Sequence, residues 1–214
     1  MFATDRDLLA LEPNLFRDVG WHSQLIVSGT GSISGTTLTL TSGAVNFADA
    51  GVEAGHVVQV DGVAYEVLAR TGSTTLTISR LREGPDAPAI PPSPVTGKPV
   101  SVQTFRPQIG TMHRGILRLL GIEADMPEPG EPTEANITNP GALRHFEALG
   151  TLASVYHGAM PSEATWSDHN FNRSQIYLQR CADERQRAVA RLDLDGDGLP
   201  DATRRLNVIQ FVRA

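Results

Sequence analysis

Two residue types are almost missing from this 214-residue chain: it has one cysteine, Cys181, and one lysine, Lys98. A single cysteine excludes an intrachain disulfide framework. Cys181 falls in a helical pattern with Tyr177, Leu178 and Ala182, so it is expected as a small buried apolar residue. A catalytic thiol needs a base placed beside it, and none is evident. The scarcity of lysine leaves arginine as nearly the whole of the 18 basic residues, against 24 acidic ones and a net charge of −6. Binding duplex DNA by its phosphates takes clustered cations, so no such surface is expected. An acidic protein can still line a passage through which DNA slides. No apolar run approaches the roughly 18 residues of a spanning helix, so no membrane partner is expected. Met1 to Asp7 lack a basic start followed by an apolar stretch, and synthesis in the cytoplasm is expected.

Patterns of catalysis are missing as well. No serine sits in a G-x-S-x-G elbow and no G-x-x-x-x-G-K phosphate loop occurs. Gly29-Thr30-Gly31 opens no helix. The six histidines (His22, His56, His113, His145, His157, His169) show no H-E-x-x-H pattern and no paired i, i+4 spacing for zinc. They are expected as surface or satisfied core residues. Asp168-His169 has no partner nucleophile. No catalytic residue is nominated, and the chain is expected not to be an enzyme.

The remaining sequence is well patterned. Thr4 or Asp5 can cap a short helix through Leu8, Leu9 and Leu11 that Pro13 ends. From about Gln24 to Thr104 the pattern is that of strands. Leu25-Ile26-Val27 leads into Ser28-Gly29-Thr30-Gly31, which reads as a turn. Thr36 to Leu40 alternates with period two. Val57 to Val60 and Val63 to Leu68 flank Asp61-Gly62, a hairpin signal. Thr74 to Ile78 and Val100 to Thr104 complete the set. Such spacing predicts a small barrel or sandwich. Glu83 to Pro99 carries six prolines and is expected as a long loop.

Helical spacing resumes after Pro107. Ile109, Met112, Ile116, Leu117, Leu119 and Leu120 form a stripe that Gly121 can end. Asn139-Pro140 can start a second helix through Leu143, Phe146, Leu149, Leu152 and Tyr156, with Gly158 closing it. A third is expected from Asn170 or Asn172 through Ile176, Tyr177, Cys181, Ala188, Val189 and Leu192. The expected fold class is α+β: a helical-bundle framework (1–23 plus 105–214) with an inserted small all-β module (24–104) and a C-terminal strand-like arm.

The sharpest local motif is Asp193-Leu194-Asp195-Gly196-Asp197-Gly198-Leu199-Pro200-Asp201. Carboxylates at loop positions one, three, five and nine, with glycine at six, match a calcium loop; the carbonyl of Leu199 would supply position seven. Position twelve is Arg204, where the loop's bidentate Glu belongs. The metal reading therefore nominates Asp193, Asp195, Asp197, Leu199 and Asp201 for calcium. An Asp/Gly turn between helix and strand, held by side-chain-to-backbone hydrogen bonds, explains the same residues without a metal.

Several of these segments together resemble a known family. Thr4-Asp5-Arg6-Asp7-Leu8-Leu9 with Glu12-Pro13-Asn14-Leu15-Phe16 resembles the start of the head–tail adaptor (connector) proteins of long-tailed bacteriophages and gene transfer agents. The run from Ala142–Tyr156 through Tyr177-Leu178-Gln179-Arg180 to Leu192–Gly198 is similar too, as is an apolar tail ending in Arg213. The resemblance covers the framework and not the β insertion. It implies a structural virion protein, assembled in host cytoplasm, that forms a homododecameric ring under the portal. It also implies contact with the portal protein and with the next tail or stopper component, and non-specific passage of double-stranded DNA. In that family the C-terminal segment reaches toward the portal, so Leu206, Val208, Ile209, Phe211, Val212 and Arg213 are the expected docking arm. Another phage neck or tail completion protein, and a calcium-dependent binding module, are the alternatives.

Overall fold

Residues 1–123, 130–160 and 169–207 are described by a computed structural model of the chain. They combine helices and strands and divide into two compact units, Thr4–Arg106 and Met1–Ala3 with Pro107–Ala214. That division differs from the expected one. The N-terminal helices group with the strands, and only the first three residues group with the C-terminal half.

In the first unit, six antiparallel strands close into a barrel. They are β1 (Leu25–Ser34), β2 (Thr37–Gly43), β3 (Val57–Val60), β4 (Val63–Arg70), β5 (Thr75–Ser79) and β6 (Val95–Gln103), in the order β1-β2-β5-β4-β3-β6. Alternation places one face of each strand inside, where Leu38, Val58, Leu76, Ile78 and Val102 are fully buried. Phe47 and Val52, from the β2–β3 connection, join this core. The β3–β4 hairpin turns on Asp61 and Gly62, at φ 53° and 77°, as a two-residue loop of that hand requires.

Two strand expectations need correction. Ser28 to Gly31 is not a turn but the middle of β1. Its glycines permit close crossing: a Cβ at Gly29 would collide with the Ser42 carbonyl, and one at Gly31 would lie 2.7 Å from that of Thr39. The chain turns at Gly35, at φ 59°. The proline-rich loop also ends early, because β6 starts at Val95 and contains Pro99. Pro99 pairs with Thr30 of β1, whereas β3 joins β6 only from Val100 onward. Pro99 thus stands on a locally one-sided stretch, where a missing N–H is tolerated. The loop itself is pinned: Arg80 donates to the Ile90 carbonyl at 2.9 Å, and Ile90 to Ser79 Oγ at 2.8 Å.

The helices α1 (Asp5–Leu11) and α2 (Leu15–Asp18) precede the barrel. Thr4 caps α1 in a capping box with Asp7. Asp5 is instead buried, accepting hydrogen bonds from Thr104 Oγ1 at 2.7 Å and the Phe105 amide at 2.8 Å. Burial pushes its carboxyl up to about 6 in spite of these donors. Next along α1, Arg6 reaches Glu66 of β4 at 3.1 Å, and Arg82 reaches the same carboxylate at 2.6 Å.

The second unit holds α3 (Arg106–Leu119), α4 (Gly141–Gly158), α5 (His169–Arg185), and the hairpin of β7 (Val189–Leu192) and β8 (Ala202–Arg205). Gly121, at φ 64°, ends α3 as expected, with Ile122 donating back to Leu117. Helix α4 is buried on most sides and runs antiparallel to α5. Ser174 Oγ donates to the Ala153 carbonyl, Asn170 to that of Ala159, and the Tyr156 and Tyr177 rings stack 5.9 Å apart. The third helix ends at Arg185, so Val189 and Leu192 belong to β7 and not to a helical stripe. Asn139 does not cap α4 with its side chain; it clamps β7, donating to Val189 O and accepting from the Arg191 amide.

Candidate functional site

The acidic motif forms the loop of the β7–β8 hairpin, a correction to the expected place between helix and strand. Leu192 pairs with Ala202 at its base. Asp193 accepts the Gly196 amide at 2.6 Å on one oxygen and the Gly198 amide at 2.8 Å on the other. Asp195 accepts the Asp197 amide and Asp197 accepts that of Leu199. Asp201 takes the amides of Leu194 and Asp195. Gly196 and Gly198 stand at φ 82° and 86°, which lets the backbone curl round the first aspartate. Hydrogen bonds from the Gly198 amide, then the Gly196 amide, hold the Asp193 carboxyl below the usual carboxylate range.

The curl brings one carboxylate oxygen from each of Asp193, Asp195 and Asp197 within 4.8 Å of the others. That is an all-oxygen donor set able to hold a metal ion, and oxygen ligands suit a hard cation. Asp201 faces backbone amides. The Leu199 side chain is 66% exposed, and its amide donates to Asp197. Arg204, at the place of the missing Glu, donates to the carbonyls of Leu120 and Gly121 at the end of α3. It caps a helix C-terminus, where a cation is favoured.

Of the expected docking arm, Leu206 is described and buried. Its amide donates to the Ala188 carbonyl, and its own carbonyl accepts Arg185 Nε at 2.9 Å. Val208, Ile209, Phe211, Val212 and Arg213 lie outside the described residues, as does Asp168.

A second polar cluster was not legible in the sequence. His113 of α3 places Nδ1 2.8 Å from Glu147 of α4 and Nε2 3.0 Å from Glu134. Glu147 is fully buried and also accepts the backbone amides of Phe2 and Ala3. No local spacing joins positions 113, 134 and 147. The one available signal was a glutamate on the apolar stripe of α4, one residue after Phe146.

Cys181 is buried, and burial pushes its thiol up to about 11. Among the described residues, no helix is long and apolar enough to cross a membrane. Comparison with protein-family models, curated proteins and solved structures finds no match for this chain.

Proposed function

We propose that this chain is a structural subunit of a tailed-phage-like particle, a ring-forming adaptor beneath the portal that joins head to tail and extends the DNA channel. One observation supports a structural role: the buried charged groups are spent on holding the chain together. Glu66 is closed by two arginines, Asp5 by the Phe105 amide and Thr104, and Glu147 by two amides and His113. Catalytic carboxylates and histidines would instead converge on an open cleft. The adaptor assignment itself rests on the family resemblance of the framework segments. In this reading the helices of the second unit are the ring framework, and the residues after Leu206 dock on the portal.

Light scattering and negative-stain imaging test the reading, with the protein alone and mixed with the portal encoded by the same genome. A ring, formed alone or on mixing, is the expected result. A monomer under both conditions overturns it. Binding to a tail tube but not to the portal would favour a tail completion protein.

The aspartate cluster favours a second reading, a calcium-dependent binding module, with Asp193, Asp195 and Asp197 as ligands. Titration calorimetry with calcium decides it: no heat at millimolar calcium removes that reading, and heat lost in Asp195→Asn supports it.

A further inference from the structure

Residues 1–3 are gripped by their backbone. Glu147 accepts the Phe2 amide at 2.8 Å and the Ala3 amide beside it. Arg144 Nε donates to the Phe2 carbonyl at 3.2 Å. The Phe2 ring stands edge-on to the His113 imidazole, centroids 4.7 Å apart. His113 in turn faces carboxylates on both ring nitrogens, at 2.8 and 3.0 Å. A neutral imidazole has one N–H and can donate to only one of them. With both carboxylates ionised, only the imidazolium satisfies the pair.

We propose that residues 1–3 are a releasable strap on the C-terminal unit, clasped by Glu147 and locked by the doubly hydrogen-bonded His113. The charged groups facing the lock are Glu147 from α4, Glu134 from the 3-10 turn Glu134–Asn136, and the Met1 amine 3.3 Å from Glu134; Arg144 lies along the strap. Burial opposes the charge on His113, but the hydrogen bonds to Glu147 and Glu134 outweigh it and raise the ring above its ordinary value. The lock is therefore closed below that raised value and opens as pH rises through it. Loss of the proton leaves the buried Glu147 carboxylate without its cation, and a buried charge stripped of its partner is costly. Met1 and Phe2 also line a recess of about 480 Å³ with Glu134, Ala135, Ile137 and Pro140, which gives the strap room to shift. The chain passes between its units at 3/4 and at 106/107.

The test is amide hydrogen exchange of the full chain from pH 6 to pH 9, corrected for intrinsic rates, beside ¹⁵N imidazole signals of His113. Protection at Phe2 and Ala3 should fall about tenfold as His113 loses its proton, with α4 unchanged; tenfold is the response to one pKa unit of lost interaction. Glu134→Gln, a change at a half-exposed position, leaves the buried Glu147 in place and should move the fall to lower pH. His113→Gln should abolish the pH dependence. Protection that stays level while His113 titrates overturns the proposal, and so does a His113 that keeps its proton throughout the range.

Discussion

Arg82 Nε lies 2.6 Å from Glu66 Oε1, and that carboxylate is 1% exposed. Arg6 closes on its other oxygen and donates to the Arg82 carbonyl at 2.8 Å. Removing one member of a buried ion cluster strands the rest without compensation. Glu66→Ala should therefore cost about 3–5 kcal/mol in urea unfolding. A loss below about 1 kcal/mol, the value of an exposed pair, would mean that the cluster is solvated.

Asp5 gives the barrel unit an acid-side pH dependence. Its carboxyl titrates near 3.8 when unfolded and is pushed up to about 6 by burial in the folded chain. Between those values the folded chain holds a proton that the unfolded chain has released. The contribution is complete below pH 3.8 and is lost as pH rises through about 6. Asp5→Asn copies the protonated shape without titrating. The stability of the native chain relative to this variant should fall by roughly 2 kcal/mol from pH 4 to pH 7. Denaturant midpoints at four pH values measure it; a constant difference would contradict it.

Gly29 and Gly84 should respond in opposite ways to the same change. A Cβ at Gly29 collides with the Ser42 backbone carbonyl, whereas Gly84 has nothing within 4 Å. Backbone in a closed barrel cannot step aside as a flexible side chain can. Gly29→Ala should cost about 3 kcal/mol, the upper end of overpacking, and Gly84→Ala should be neutral within about 0.5 kcal/mol. Thermal melts of the two variants make the comparison, and equal melting temperatures would refute the crossing geometry.

Cys181 should resist alkylation in the folded chain. Its thiol, pushed up to about 11, supplies almost no thiolate at pH 8. Iodoacetamide at pH 8, followed by mass spectrometry, should label it fully in denaturant and very slowly without. Rapid native labelling would place the thiol at the surface.

Structure that neighbouring residues decide is legible in the sequence, and structure that distant residues decide is not. Asp61-Gly62, Gly121 and the alternating threonine strands carry their conformations in their own chemistry. Gly29 and Gly31 look like turn residues, but their role depends on Ser42 and Thr39 of β2, thirteen and eight residues further along the chain. Val189 and Leu192 continue a helical spacing by coincidence; pairing with Ala202–Arg205 makes them a strand. The acidic loop was readable as a turn with grouped carboxylates, because its hydrogen bonds are local. The His113–Glu147 contact was not, because 34 residues separate the partners.

Where its strands pair on both sides, the closed barrel leaves no row of unpaired backbone N–H and C=O groups for another copy's sheet to join. In the β7–β8 sheet, the outer side of β7 is already taken by Asn136, Ile137, Thr138 and Asn139. Among the described residues, that leaves the outer side of β8 with no strand beside it. Two of the four residues there are arginines, Arg204 and Arg205. Among the described residues, a chain that extended the β7–β8 sheet would have to do so along that short charged edge.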